Sequence, residues 1–170
     1  MANTFAKITT VTVGSGGTSS IDFTSIPQTY TDLCVYLSSK TDQVSNGEKF
    51  YMTLNGSTSN FSYRYLNGYW NYGPGAGSGS TNYMGLTQAS NYETYPFAVD
   101  TVYICGYSAS IYKVITSYGA MARVTDGSVQ MLLGNIWSDT SAITSLSLAP
   151  VGGGKFIQNS VATLYGIKAA

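Results

Sequence analysis

Histidine is absent from the 170 residues. A Ser-His-Asp hydrolase needs an imidazole to take the serine proton, so that chemistry is excluded at once. Zinc and iron sites lose their commonest ligand too, and the two cysteines, Cys34 and Cys105, stand far apart without CxxC spacing, half a site at best. Charge is nearly as scarce. Lys and Arg number 8, Asp and Glu number 8, and charged residues make up 9% of the chain, against roughly a quarter in an ordinary globular protein. The basic residues are scattered singly, so the chain lacks the clustered cations that neutralise nucleic-acid phosphates. No segment approaches the roughly 20 apolar residues that cross a bilayer. The opening MANTFAKITTVTVG has no basic region followed by a long apolar run, and no secretory signal is expected.

What the chain does hold is 15 tyrosines and 19 glycines beside only 4 prolines, with 44% hydrophobic residues. That composition favours strands joined by tight turns around a buried core. The period of two that marks a half-buried strand recurs along the sequence. DLCVYLSS sets Leu33, Val35 and Leu37 against Cys34 and Tyr36, FYMTL aligns Phe50, Met52 and Leu54, and SVQMLLG aligns Val129, Met131 and Leu133. The segment WSDTSAITSLSLAP sets Thr144, Leu146 and Leu148 against Ser145 and Ser147. Further strands are expected at Thr4–Val13, Ser19–Phe23, Ala98–Tyr107, Tyr112–Met121 and Ser160–Ile167. Turn residues separate them at Gly14–Gly17, Ser45–Gly47, Asn55–Ser57, Asp126–Gly127 and Gly152–Gly154. No window carries a helical apolar stripe.

The expectation is therefore one all-β domain over residues 1–170, a jelly-roll-like sandwich of about 8–10 antiparallel strands. So few surface charges suit a chain that is covered by partners, and a trimer would shield edge strands and bare faces. Residues 55–95 are expected to leave the sandwich as a long aromatic, glycine-rich loop, with the run Gly73–Ser80 flexible. Tyr63, Tyr65, Tyr69, Trp70 and Tyr72 are its candidate interface or glycan-contact residues, since tyrosine and tryptophan offer rigid faces with a polar edge.

Other chemical readings find little support. A Ser-Lys dyad is disfavoured because the lysines fall where solvated strand or loop charges belong. The glycine run lacks the GK[ST] ending of a phosphate cradle. No DxDxDG calcium loop occurs. Two of the acidic residues Asp22, Asp32, Asp42, Glu48, Glu93, Asp100, Asp126 and Asp139 would have to converge for glycosidase chemistry, and solvated or capping carboxylates are the simpler reading. Cys34 and Cys105 are expected as buried free thiols, one disulfide being the alternative. No catalytic residue, metal or cofactor is assigned, and the chain is read as non-enzymatic.

Four stretches, IDFTSIPQTYTDLCVYLSSKT, TLNGSTSNFSYRYLNG, IWSDTSAITSLSLAP and SVATLYGIKAA, together resemble a family of tailed-bacteriophage virion proteins, found as small separate proteins and as distal domains of tail fibres. The residues that carry the resemblance are Ile26, Pro27, Tyr30 and Leu33; Asn55 and Gly56; Trp137, Thr140, Ala142 and Ile143; and Leu164, Tyr165, Gly166 and Ile167. It spans about Ile21 to Lys168, while Tyr65 to Tyr95 departs from the shared pattern. The resemblance implies a β-sandwich, often a homotrimer, made in the host cytoplasm and assembled on the virion exterior against a major capsid protein or tail protein. It carries over no catalytic residue. The chain enters a strand within a few residues of Met1, with no shaft to reach a tail, which favours a capsid decoration (cement) protein. The alternative is a tail-fibre tip or receptor-binding protein for a host surface glycan, and the third reading is a free carbohydrate-binding module. No nucleic acid or membrane partner is expected.

Overall fold

The structure, a computed structural model, describes residues 4–44, 49–69, 72–90, 96–123 and 127–168. Twelve strands follow one another: β1 (Phe5–Thr12), β2 (Ile21–Phe23), β3 (Asp32–Ser39), β4 (Lys49–Leu54), β5 (Phe61–Tyr69), β6 (Tyr72–Gly79), β7 (Tyr83–Leu86), β8 (Ala98–Cys105), β9 (Lys113–Arg123), β10 (Gly127–Trp137), β11 (Leu146–Pro150) and β12 (Val161–Ile167). Among the described residues the only helical element is a 3₁₀ turn at Val151–Gly153. Every ladder between named strands is antiparallel.

The strands form two sheets, one ordered β1-β12-β3-β8-β9-β10-β5-β6 and one ordered β2-β11-β4-β7. Setting aside the hairpins β5–β6 and β9–β10 leaves eight strands, paired first with last (β1–β12), second with seventh (β2–β11), third with sixth (β3–β8) and fourth with fifth (β4–β7). That nesting is the jelly roll. The two extra hairpins extend one of its four-stranded sheets from β8 outwards.

All nine strands expected from alternation are present. The additional three, β5, β6 and β7, lie within residues 55–95, so the expected loop excursion is largely sheet instead. The physical reason lies in the glycine run. In β6 every second residue is glycine, and Gly75, Gly77 and Gly79 stand opposite Asn67, Tyr65 and Tyr63 of β5. A Cβ on Gly77 would come within 2.6 Å of the Tyr65 ring, and one on Gly79 within 2.7 Å of Tyr63. The tyrosine rings thus lie across the bare backbone of β6 and replace the side chains it lacks, a cross-strand rescue of edge glycines. Asn55 and Gly56 adopt left-handed φ of 51° and 75°, as an Asn-Gly turn predicts. Gly127 is likewise left-handed, whereas Asp126 and the expected turn at Ser45–Gly47 lie outside the described residues.

Between the sheets of the jelly roll sits a core that includes Phe23, Leu33, Phe50, Met52, Leu148 and Leu164. Each such side chain contributes about 1.5–3 kcal/mol on leaving water. A second cluster, Tyr83, Leu86, Ala98, Met121, Val129, Met131 and Leu133, lies under the hairpin extension and is flanked by Tyr51, Tyr63 and Tyr65. Strand β10 shows the pleat plainly. Val129, Met131, Leu133, Asn135 and Trp137 are buried while Gln130, Leu132, Gly134 and Ile136 are exposed.

Gly77→Val is expected to lower stability by about 1–3 kcal/mol through overpacking against Tyr65. Denaturant titration should show that penalty shrink when Tyr65 is already Ala, and an undiminished penalty would mean that the ring is not what the glycine accommodates.

Candidate functional site

The motif residues, dispersed in the chain, meet at one end of the sandwich. The Tyr30 ring covers Gly166, where a Cβ would come within 2.3 Å of it, and Leu33 pairs with Gly166 across β3 and β12. Leu33, Ile143 and Leu164 are fully buried. Trp137 closes β10, buried and stacked on Phe61 at 6.2 Å between ring centroids. Asn55 ties the late segment down: its amide donates to the Ala142 carbonyl at 2.8 Å, and its Oδ1 accepts from the Thr144 N–H at 2.9 Å. Gln28 donates to the carbonyls of Ile26 and Ile143, each at 2.9 Å. The Ile143 N–H donates to the Tyr107 carbonyl at 2.9 Å, and the Tyr107 hydroxyl donates to the Pro27 carbonyl. Tyr165 lies on the outer face of the large sheet against Phe5, at 4.7 Å, and the carbonyl of Ile167 accepts from the Thr31 N–H at 2.7 Å. These residues close the end of a sandwich; sequence reading found most of them but missed Gln28 and Tyr107, whose partners are far away in the chain.

Lys113 was also missed. It is fully buried, against the expectation of solvated lysines, and so is most of Lys40 at 6% exposure. The Lys113 ammonium donates to the carbonyls of Ala109, Ile111 and Thr140. Ser110 and Lys113 have Ser-x-x-Lys spacing, but the ammonium donates to those three carbonyls, and burial pulls its pKa down while Asp139 opposes the shift.

The described aspartates serve structure. The Asp42 carboxylate accepts from the Lys155 N–H and that of Asp139 from the Ser141 N–H, each at 2.7 Å, so Asp139 makes the local backbone contact in the WSDTSAI segment. Asp22 accepts from the Ser20 hydroxyl at 2.7 Å. Asp32 accepts from the Tyr103 hydroxyl at 2.6 Å and the Gly106 N–H at 2.7 Å, and this bond, with burial, pushes Tyr103 up to about 12. Glu48, Glu93 and Asp126 lie outside the described residues. No group of three or more metal-ligating side chains occurs among the described residues.

Both cysteines are free. Cys34 is buried as expected, while Cys105, pointing outward at the end of β8, is exposed. Burial raises both thiol pKa values, and the Asp32 charge adds to the rise at Cys105. That is the reverse of what a nucleophilic thiolate needs.

Asp100 points inward from β8, 3% exposed, into room left by two glycines. A Cβ on Gly119 would come within 1.9 Å of its Oδ1, and one on Gly85 within 2.4 Å. Oδ1 accepts from the Leu86 N–H at 3.1 Å. Burial holds the carboxyl well above the usual carboxylate range, and the Leu86 bond offsets part of that rise.

Of the aromatic candidates, Tyr63 and Tyr65 are half-buried, facing inward onto the second core, with Tyr63 edge-on to Tyr83 at 5.4 Å. Tyr69 and Tyr72 pair through their backbones, but their side chains, and Trp70 entirely, lie outside the described residues. The notable surface is elsewhere. On the outer face of the large sheet the ladders align Thr101, Tyr118, Leu132, Leu66 and Ala76 in one row, and Tyr103, Thr116, Gly134, Arg64 and Ser78 in the next. Among the described residues, eight of the eleven large hydrophobic side chains that are exposed lie on this face: Phe5, Tyr36, Leu66, Val99, Val114, Tyr118, Leu132 and Ile136. Among its described strand residues only Lys7, Asp32 and Arg64 are charged. Two adjoining shallow clefts of about 600 and 640 Å³ share Arg64, Ser78 and Gly134 as lining.

No family model, curated protein or solved structure matches the chain.

A carboxyl that binds its proton more tightly when folded contributes stability below its unfolded pKa, about 3.9, and loses it as pH rises through the higher folded value. Asp100→Asn is therefore expected to resist denaturant better than wild type at about pH 8 and to lose that advantage towards pH 4. A difference between the two proteins that does not change with pH would assign the effect to something other than this carboxyl.

Proposed function

We propose that this chain is a non-enzymatic structural protein on the exterior of a tailed-bacteriophage virion, and that it acts there as a trimeric capsid decoration (cement) protein. The observation that supports this most directly is the contrast between its two outer faces. The small sheet turns a polar row outward, Asp22, Ser147 and Thr53. The large sheet turns out Tyr118, Leu132, Leu66, Val114 and Ile136 instead. A contiguous apolar face of this kind is characteristic of a surface that is covered in use. Strand-edge addition is disfavoured in parallel: β6 carries Pro74, β1 has a register shift between Lys7 and Thr9, and β2 and β7 are only 3 and 4 residues long. These are the usual devices that blunt sheet edges. Association through a face is the route left open.

The virion, the threefold stoichiometry and the capsid or tail partner come from the resemblance of the motif residues, and the jelly roll is a fold common in viral coat proteins. A tail-fibre tip that recognises host glycan is the second reading, supported by the clefts beside Arg64 and the serine hydroxyls of Ser62 and Ser78. A free carbohydrate-binding module loses Tyr63 and Tyr65, two of its five aromatic residues, to internal packing.

Gold-labelled antibody on intact particles is expected to coat the head evenly. Label confined to tail tips would replace the decoration role with the fibre role, and particles free of label would overturn the virion assignment.

A further inference from the structure

We infer that the outer face around Gly134 is the surface by which copies of this chain bind one another, with the hollow above Gly134 receiving a side chain of the neighbouring copy. This rests on the assembly role proposed above and adds to it the contact surface and the partner.

The starting observation is a glycine without an internal reason. Gly134 sits within the 11-residue strand β10, where a glycine weakens the strand by conformational entropy. Gly77, Gly79, Gly119 and Gly166 each make room for a ring or carboxyl of their own chain. At Gly134 a Cβ would meet nothing within 4 Å, and its φ lies outside the left-handed region. Nothing in the folded subunit forbids a side chain there. A strand glycine marks a bulge, a tight bend or a place where another molecule comes close, and the β10 ladders run through Gly134 without a register shift.

The surroundings describe that molecule. Leu132 and Ile136 flank the hollow along β10, Thr116 and Arg64 flank it on β9 and β5. Tyrosine and arginine with aliphatic residues, and few Lys, Asp or Glu, are the composition of a protein interface core. Leu66, Leu132, Val114 and Ile136 in the cleft walls give little to the hydroxyls of a sugar, while Arg64, Ser62, Ser78 and Ser80 in the same lining offer hydrogen bonds to either kind of partner. The five strands β8, β9, β10, β5 and β6, about 4.8 Å apart and up to 11 residues long at about 3.3 Å per residue, present on the order of 800 Å². That equals the roughly 800 Å² per partner of a standard stable interface.

Three features select a second copy as the occupant. On the outer face of these five strands Arg64 is the one charge among the described residues, which leaves no array of like charges to repel an identical face. The blunted edges leave identical chains no strand-to-strand route. Tyr118, 52% exposed, projects one diagonal step from the recess at Gly134. Projection and recess side by side allow head-to-tail seating, Tyr118 of one copy over Gly134 of the next, which closes into a ring when the rotation per subunit is a third of a turn.

The test uses the full chain. Light scattering after size exclusion, over a range of concentrations, is run on wild type, on Gly134→Trp and on Thr24→Trp, an exposed position at the small sheet. Wild type and Thr24→Trp are expected to be trimeric. Gly134→Trp is expected to raise the concentration of half-dissociation by at least about thirtyfold, as loss of a central contact does, with circular dichroism and denaturation midpoint no worse than wild type. A folded Gly134→Trp that stays trimeric overturns the inference while leaving the assembly role intact. Wild type that is monomeric at every concentration yet labels particles also overturns it, and assigns the face to another virion protein. Absence from particles would remove the proposed function, and a trimer broken by Gly134→Trp would still support this contact.

Discussion

A pleated strand turns alternate side chains to opposite faces, so a sheet packed on one side must leave its other side either polar or covered. That constraint governs this molecule. In β10 it sends Met131, Leu133 and Trp137 inward and leaves Leu132 and Ile136 outside, on the same strand and within the same ladder. Burial of the inner set stabilises the sandwich, and its cost is an outer set that water does not favour. In the small sheet the outer set includes the polar row Asp22, Ser147 and Thr53 beside Tyr51 and Ala149, and the demand of that row is met by solvent. In the large sheet it is not, and the assembly role proposed here follows from that difference.

The same constraint explains the glycines. Where two layers must approach closely, or a ring must lie flat on a neighbouring strand, a side chain is in the way. Gly77 and Gly79 give their space to Tyr65 and Tyr63, Gly119 to Asp100, and Gly166 to Tyr30. Gly134, like Gly68 on the neighbouring strand of the same outer face, gives its space to nothing in the subunit. Polar links then hold the ends: Asn55, Gln28 and Tyr107 join loops that the sheet ladders do not reach, and the Lys113 ammonium gathers the carbonyls of Ala109, Ile111 and Thr140.

Chemistry is arranged accordingly. The thiols are raised by burial, the described aspartates are engaged as caps and ties or enclosed between sheets, and the Lys113 ammonium serves backbone carbonyls. Each of these groups makes contacts within the fold, and the outer face of β8, β9, β10, β5 and β6 offers contact area and, among its described residues, one charge, Arg64.

Alternation in DLCVYLSS, FYMTL and SVQMLLG, the Asn-Gly turn at Asn55 and the lack of any helical stripe determined an all-β sandwich, because a period of two and left-handed turn residues act locally and can be read without knowing what lies opposite. Strand β6 was not legible in the same way. A Gly-x-Gly-x run has no strand propensity of its own, and only its pairing with Tyr63 and Tyr65 makes it one. The aromatic candidates were judged by residue type, yet it was the sheet pairing that turned Tyr63 and Tyr65 inward and brought Leu66, Leu132 and Tyr118 together outside. Which residues share a face across five strands depends on register between segments distant in the chain, and register is a property of the folded sheet; for that reason the sequence determined the elements, while the tertiary structure alone decided the surface.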